Sequence, residues 1–225
     1  MEIIKNILKN LFTGSKGKGW WAFKSIPVII ILFLITTFLI SQNGSNQQTA
    51  FSKSYEMEGK KNFVEAINVL INIYQENSYG MNLRLGWLYY NSKDNKKSME
   101  YYKKAISLKP NSIEARLGFI KPASTLEKWD DVFGQYLEIL KIDNQNTYAN
   151  YWIGMIYYNH SNFTKALEHF KVVANLYPFD ADANLMVGWS EFKLGKKDEA
   201  KKYFQEALLI QPNNASAAEG MKYCK

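Results

Sequence analysis

The sequence predicts an all-α protein in which an N-terminal transmembrane helix precedes an α-solenoid of helix hairpins. Three observations predict this fold class. No charged residue occurs in residues 25 to 52, and the first half of that stretch is strongly apolar. Beyond residue 50, marked residue types recur every 34 positions. Between these positions, apolar residues follow one another at three- and four-residue steps, which is the spacing of amphipathic helices.

The composition of the 225-residue chain limits its functions. Hydrophobic residues make up 47% and aromatic residues 15% of the chain, which is typical of a folded protein. One cysteine and two histidines give no disulfide framework and no multi-thiolate metal site, so we predict no metal and no cofactor. The net charge is +7, but residues 1 to 25 alone hold five lysines and one glutamate. The remainder is nearly balanced, so nucleic-acid binding is not predicted.

Residues 1 to 19 form a basic amphipathic segment followed by a linker. Six apolar residues fall on one half of a helical wheel, with lysines, asparagines and a threonine on the other half. Two interpretations remain open: a helix lying flat on anionic lipid, or a leader with no order of its own. Residues 14 to 19 (GSKGKG) have the composition of a flexible linker.

Residues 20 to 41 are predicted to be a transmembrane signal-anchor. The apolar core, residues 26 to 40, would reach only about 22 Å as a helix, short of the roughly 30 Å hydrocarbon layer. Adding the aromatic flank at Trp20 and Trp21 extends it to about 33 Å. A cleaved secretory signal is the alternative, although residues 41 to 50 contain no A-x-A-like site. The basic leader predicts a cytoplasmic N-terminus and an extracytoplasmic remainder, periplasmic in a bacterium.

The 34-residue period predicts tandem pairs of helices. In the fourth unit, residues 147 to 159 and 163 to 177 each have the pattern of an amphipathic helix. Small residues let such helices approach closely, and a proline ends the second helix. Stacked units then bury a core that one unit could not bury alone. The recurring residues are Ala115, Ala149, Ala183 and Ala217; Tyr102, Tyr136, Phe170 and Phe204; Pro110, Pro178 and Pro212; and Gly86, Gly154 and Gly188.

These motifs resemble the tetratricopeptide repeats, whose pattern is W-x2-L-G-x2-Y followed by A-x3-F, A and P. The resemblance covers residues 46 to 225. It implies a right-handed solenoid of five repeats with a capping helix at residues 215 to 223. The motif residues are Leu85, Gly86 and Tyr89; Trp152, Gly154 and Tyr157; Ala166 and Phe170; and Ala200 and Phe204.

Two repeats depart from the pattern. In the first, the interval from Ala66 to Ser98 is 32 rather than 34 residues, so its turn is expected to be shorter. In the third, Pro122 falls in the middle of a predicted helix, where it removes a backbone donor at a cost of roughly 3 kcal/mol. We expect a kink there, which either bends the solenoid or opens its inner surface.

The resemblance implies that the first helix of each repeat lines a concave groove. The inner positions are rich in aromatic residues, which predicts an extended or helical peptide as ligand. A packing role is the alternative for some of these residues. The lysine and arginine clamp by which some family members hold a terminal carboxylate is not present at these positions. The candidate binding residues are Trp87, Tyr90, Lys121, Tyr148, Tyr151, Met155, Tyr158, Trp189 and Phe192.

No catalytic motif occurs in the sequence, so we do not expect an enzyme. His160 and His169 are expected to be surface residues, and Cys224 an exposed terminal thiol. The predicted function is a membrane-anchored scaffold that binds a protein or peptide during envelope assembly or translocation. One alternative is a structural subunit that packs through its convex surface or self-associates. Another is an accessory of a separately encoded enzyme.

Overall fold

A computed structural model describes residues 21–225, and within the first helix the side chains of residues 32–37, 44 and 46–59. The basic segment predicted at residues 1 to 19 lies outside the described residues. Every regular element in the described part is an α-helix. The helices are α1 (Trp21–Gly59), α2 (Phe63–Ile71), α3 (Tyr79–Asn91), α4 (Asn95–Leu108), α5 (Ile113–Thr125), α6 (Trp129–Ile142), α7 (Thr147–Asn159), α8 (Phe163–Leu176), α9 (Ala181–Lys193), α10 (Lys197–Ile210) and α11 (Ala215–Tyr223).

Helix α1 is 39 residues long and crosses the division of the chain into two units, residues 1–53 and 54–225. The boundary predicted at residue 46 falls inside this helix. The predicted span, residues 20 to 41, falls mainly on side chains outside those described. Within the described residues, no helix has the length and hydropathy needed to cross a membrane.

Helices α2 to α11 pack in the order in which they follow one another along the chain. Helix α3 also contacts α5, and α9 contacts α11, so first helices of neighbouring repeats lie side by side. The second unit is therefore an α-solenoid of stacked helix hairpins, as the period predicted. The fourth hairpin has the predicted bounds to within one residue, and α11 coincides with the predicted cap.

The hairpin turns share a left-handed backbone conformation. Each turn between the two helices of a repeat places one residue at positive φ, between 55° and 79°. Only the last of these residues is a glycine, although glycine adopts this conformation at the lowest cost. The residues are Lys61, Lys93, Glu127, Ser161 and Gly195.

In the second, fourth and fifth repeats, the aromatic residue of the second helix packs against glycines. The ring of Tyr102 lies between Gly86 and Gly118, and a Cβ atom at either position would overlap it. Phe204 lies in the same way between Gly188 and Gly220. The predicted close approach of helices at the repeating glycines is thus present, and Gly118 and Gly220 extend it to the following helix.

The aromatic residue of the third repeat has a different setting. Tyr136 is buried, but the positions that correspond to the two glycines are occupied by Ile120 and Trp152. Trp152 is 41% exposed, and its ring lies 6.2 Å from that of Tyr148, which in turn lies 6.1 Å from Tyr136. The loss of glycine therefore places additional aromatic surface at the joint between the third and fourth repeats.

Loops between repeats are tied to the helix that follows them. The amide of Asn184 donates to the carbonyls of Pro178 and Asp180, and Asn82 and Asn150 make the equivalent bonds in their repeats. Arg116 donates to the Pro110 carbonyl at 2.8 Å in the third repeat. These bonds join the loop to the helix that follows it; the carbonyls of Ser78, Asn146 and Asp180 also accept a backbone amide of that helix.

Helix α5 runs from Ile113 to Thr125 without a break and contains Pro122. The proline is buried, and its carbonyl still accepts from the Leu126 amide at 3.1 Å. The missing donor therefore does not end the helix, because the turn that follows Pro122 keeps its hydrogen bonds.

Candidate peptide-binding groove

All nine predicted binding residues lie on the first helices of the second to fifth repeats. Four of them lie on helix α7: Tyr148, Tyr151, Met155 and Tyr158. The remaining five divide between helices α3, α5 and α9 and are Trp87, Tyr90, Lys121, Trp189 and Phe192.

At the amino-terminal end of the groove, Trp87 is held by contacts within the chain. Its indole nitrogen donates to the Glu58 carboxylate at 2.5 Å. The Lys121 ammonium lies 4.9 Å from the centre of its ring, and the Tyr90 ring lies 6.4 Å away. Because one edge and one face of the indole are occupied, Trp87 has a structural role beside any binding role.

Glu58 also pairs with Arg84, a buried residue of α3, at 2.5 Å. The Arg84 guanidinium lies 3.8 Å above the centre of the Tyr55 ring. Tyr55 and Glu58 belong to the last turns of α1 and contribute to this end of the groove. These two residues were not predicted from the sequence, because the first repeat departs from the family pattern in register.

At the carboxyl-terminal end, Trp189 is held by the capping helix. Its indole nitrogen donates to the Ser216 hydroxyl at 2.9 Å, and its ring packs edge-on against Phe204 with centroids 5.0 Å apart. Phe192 stacks on Tyr223 of the cap at 5.8 Å. Both predicted binding residues at this end are therefore half-buried against α10 and α11.

In the fourth repeat, aromatic side chains are less enclosed. Tyr148 is 51% exposed, and Trp152 lies edge-on to both Tyr148 and Tyr151. Tyr151 is half-buried against Phe170, with centroids 5.7 Å apart. We call Tyr148, Tyr151 and Trp152 the central aromatic cluster.

Burial raises the pKa of Tyr151, and the carboxylates of Asp182 and Asp180 raise it further. Burial also raises the pKa of Tyr158, whose ring lies edge-on to Phe163. Both hydroxyls therefore stay protonated at neutral pH and can donate a hydrogen bond to a ligand.

Two residues expected at the surface are not exposed. His169 is half-buried, with Nδ1 2.9 Å from the Asn150 side-chain oxygen and its ring stacked on Tyr157. Cys224 is buried against the last pair of helices, near Phe204 and Ala217, because the end of α11 folds back onto α10. His160 is exposed, as expected. Among the described residues, no cluster of histidine, cysteine and acidic side chains could hold a metal ion.

Comparison with protein families gives three matches, each to a tetratricopeptide repeat model. The matched residues are 79–112, 148–180 and 181–214. These ranges coincide with the second, fourth and fifth helix hairpins. These three hairpins match the tetratricopeptide repeat. The third hairpin, with Pro122 and the altered setting of Tyr136, falls between the matched ranges. No curated protein matches the chain in sequence.

Solved structures share the tetratricopeptide solenoid. MamA is 21% identical over 76% of this chain and 95% of its own, with a TM-score of 0.65. A tetratricopeptide repeat protein from Parabacteroides merdae is 18% identical over 80% of this chain and 72% of its own, with a TM-score of 0.67. YrrB, described as having an unusual peptide-binding site, is 17% identical over 83% of this chain and 97% of its own, with a TM-score of 0.65. At these identities, the likeness shows the fold.

Proposed function

We propose that this protein is a membrane-tethered, non-enzymatic scaffold whose tetratricopeptide solenoid binds a protein or peptide in its concave groove. The observation that carries this proposal is the central aromatic cluster on α7. Tyr148 and Trp152 expose 51% and 41% of their surface beside the half-buried Tyr151. Exposed aromatic side chains on a rigid helix are the residues that dominate protein interfaces.

The described contacts restrict the proposed binding site to the middle of the groove. Trp87 and Trp189 already have hydrogen-bond partners in neighbouring helices. Among the described residues the Trp152 indole makes no hydrogen bond, and its ring pairs are with Tyr148 and Tyr151 of its own helix. A ligand that crosses the fourth repeat can therefore cover Tyr148 and Trp152 without displacing any internal hydrogen bond of the solenoid. YrrB, which shares the fold, is described as a peptide-binding protein.

The membrane tether is supported by the apolar sequence of residues 20 to 41, which has no charged residue after Lys24, and by the basic segment that precedes it. The charge difference favours a cytoplasmic N-terminus, which places the solenoid outside the cytoplasm. Confinement near a membrane raises the effective concentration towards membrane-bound partners, so a groove of modest affinity suffices. A role in envelope assembly or translocation follows from that location.

Crosslinking in native membranes tests the proposal. A photoreactive phenylalanine analogue at Tyr148 should capture a specific partner, to be identified by mass spectrometry. The Tyr148→Ala, Trp152→Ala double variant should recover at least about fivefold less partner in a pull-down, since truncating interface aromatics costs more than about 1 kcal/mol each. Trp129→Ala is the matched control, because Trp129 is 60% exposed at the start of the second helix α6. Equal recovery by the double variant and the control would contradict the groove assignment.

A second candidate is a self-associating structural subunit. It is favoured by large apolar residues that are exposed outside the first helices: Phe179 at 76%, Leu209 at 70% and Val64 at 67%. Light scattering on the full chain in detergent separates the two candidates. A discrete oligomer that Phe179→Ser or Leu209→Ser dissociates would support the second.

A further inference from the structure

The exposed faces of helices α4 and α10 carry charged stripes. In each helix, residues 2, 3, 6, 9 and 10 lie on one side, because an α-helix turns once every 3.6 residues. We call Lys96, Lys97, Glu100, Lys103 and Lys104 the α4 stripe. We call Asp198, Glu199, Lys202, Gln205 and Glu206 the α10 stripe. Nine of these ten residues are exposed, and Lys104 exposes 41% of its side chain.

The two stripes have opposite charges at four of their five positions. Lysines of α4 correspond to acids of α10 at helix positions 2, 3 and 10, and Glu100 corresponds to Lys202 at position 6. Corresponding residues lie three 34-residue repeats apart, so the repeat register itself fixes the comparison. Helix α6 has acids at three of the same positions, but Gly134 stands where α10 has Lys202. Helix α10 therefore complements α4 best.

The stability of α4 does not explain its basic stripe. Lys96 and Lys97 lie in the first turn, where the helix dipole favours acidic residues, and this turn contains no acid. The first turns of α6 and α10 contain two acids each. The lysines of α4 thus oppose the dipole of their own helix, which indicates a role outside the folding of the chain.

The charges of both stripes remain available to a partner. Four stripe residues form ion pairs, but the partner side chains are at least 40% exposed, and such pairs stabilise a fold only weakly. In the described part of the chain, five stripe residues make no ion pair: Lys96, Glu100, Lys103, Asp198 and Glu206. Five helices, α5 to α9, lie between α4 and α10 in the order of packing, so the two stripes do not meet within one chain.

We propose that the α4 stripe of one copy binds the α10 stripe of a second copy of this chain. Such a pairing opposes lysine to acid at three positions and Glu100 to Lys202 between them. Leu108 and Leu209, which are 39% and 70% exposed near the carboxyl ends of the two helices, add an apolar contact when the helices are parallel. The inference does not use the groove; it rests on the second candidate function and names the contact by which copies associate.

The contact is head-to-tail, because its two surfaces differ. A copy that binds through its α10 stripe leaves its α4 stripe open for the next copy, so assembly grows with concentration. One pair of helices buries a small area, and its charges are exposed, so the contact is weak and sensitive to salt. The proposed tether would strengthen it by confining the copies to one membrane.

Sedimentation of the full chain in a non-ionic detergent tests the contact. At about 20 mM salt the weight-average mass should at least about double between about 5 µM and about 200 µM protein, and about 0.5 M salt should reverse the increase. Two charge-reversed variants, Lys96→Glu with Lys97→Glu and Asp198→Lys with Glu199→Lys, should each associate at least about tenfold more weakly. The matched control is Lys60→Glu with Lys61→Glu, which changes the net charge as the α4 variant does, at exposed lysines outside both stripes. It should associate like the wild type.

Mixing the two reversed variants gives the sharpest readout. In each variant alone, like charges oppose each other at the first two positions of the contact. In an equimolar mixture, the acidic start of the altered α4 meets the basic start of the altered α10, and the two unaltered stripes also match. The mixture should therefore associate as the wild type does. Circular dichroism will show whether each variant keeps its helices.

Three results would overturn the inference: a wild-type mass that does not change with concentration, a reversed variant that associates like the wild type, or a mixture that stays dissociated. Loss of association in the α4 variant alone would assign the acidic surface to another helix, such as α6. Retention in both variants would assign self-association to other surfaces, such as the exposed apolar residues. Neither variant alters a first helix, so crosslinking from Tyr148 still reports on the groove, and the two proposals fail separately.

Discussion

The indole nitrogen of Trp87 donates a 2.5 Å hydrogen bond to the carboxylate of Glu58, which lies 29 residues earlier in the chain. The same carboxylate pairs with Arg84, which is only 7% exposed. One acidic side chain at the end of α1 therefore satisfies two groups of α3. The Glu58 contacts therefore link the atypical first repeat to the second, in addition to apolar packing.

Glu58→Ala should lower the free energy of unfolding by about 3 kcal/mol, because it leaves the Arg84 guanidinium buried without its counter-charge. Denaturation by urea, followed by far-UV circular dichroism, measures the change. Lys60→Ala is the control: Lys60 pairs with Glu56 at an exposed site, so its loss should cost less than about 0.5 kcal/mol. Equal effects of the two substitutions would show that the Glu58 contact does not stabilise the protein.

Gly154→Ala should destabilise the fourth repeat by about 2 kcal/mol. The added Cβ would lie 2.7 Å from Cε1 of Phe170, a fully buried ring that has little room to move. Gly134→Ala, in helix α6, adds the same atom where no other atom lies within 4 Å and should stabilise by about 0.5 kcal/mol. A stabilising Gly154→Ala would show that the two helices are not in close contact.

Ser161→Gly should raise the melting temperature. Ser161 has φ of 59°, a conformation that costs a side-chain residue about 1–2 kcal/mol, whereas glycine loses roughly 0.5–1 kcal/mol through its more flexible unfolded state. The net gain is about 0.5 kcal/mol. Gly195→Ala makes the opposite change at the equivalent turn, where φ is 79°, and should lose about 1 kcal/mol. Thermal unfolding will show whether each substitution raises or lowers the melting temperature. A lower melting temperature for Ser161→Gly would contradict the expectation.

Stability should fall as the pH drops through the mildly acidic range, partly because of His169. Burial lowers the pKa of this histidine below its ordinary value, and Lys165 lowers it further against the opposing effect of Glu168. The unfolded chain therefore binds the proton first. The contribution of neutral His169 is fully present above the unfolded pKa of about 6.5 and is lost as the pH falls towards the lower folded value.

The comparison of His169→Gln with the wild type isolates this effect. The variant should lose less stability than the wild type between about pH 7 and about pH 5, as measured by urea denaturation. His160→Gln, at an exposed histidine, is the control variant. Parallel curves for His169→Gln and the wild type would assign the dependence to other groups.

The hairpins were predictable from the sequence because their markers are local and periodic. Glycine, alanine and the aromatic residue of each repeat stand at fixed intervals, and helix bounds follow from the apolar spacing. Two further features follow the same 34-residue period but were not predicted from it. The helix-capping residues Ser78, Ser112, Asn146, Asp180 and Asn214 are 34 positions apart, as are the loop-binding residues Asn82, Arg116, Asn150 and Asn184.

The role of each groove residue was less predictable, because it depends on partners that the period does not specify. Trp87 and Trp189 occupy equivalent positions three repeats apart, yet one donates to a glutamate of α1 and the other to a serine of α11. These partners belong to the two ends of the array, one in the atypical first repeat and the other in the capping helix. The prediction that Cys224 is exposed was wrong for the same reason, since its burial depends on how the last short helix packs.

The bonds from Asn150 and Asn184 to the preceding loops have a practical consequence for protein engineering. Each boundary between repeats has a fixed length, because one side chain must reach both ends of the connection. A longer or shorter array is therefore best made by cutting within the hairpin turns, at Ser161 and Gly195. The exchangeable cassette is then a second helix together with the next first helix, and it carries its own joint intact.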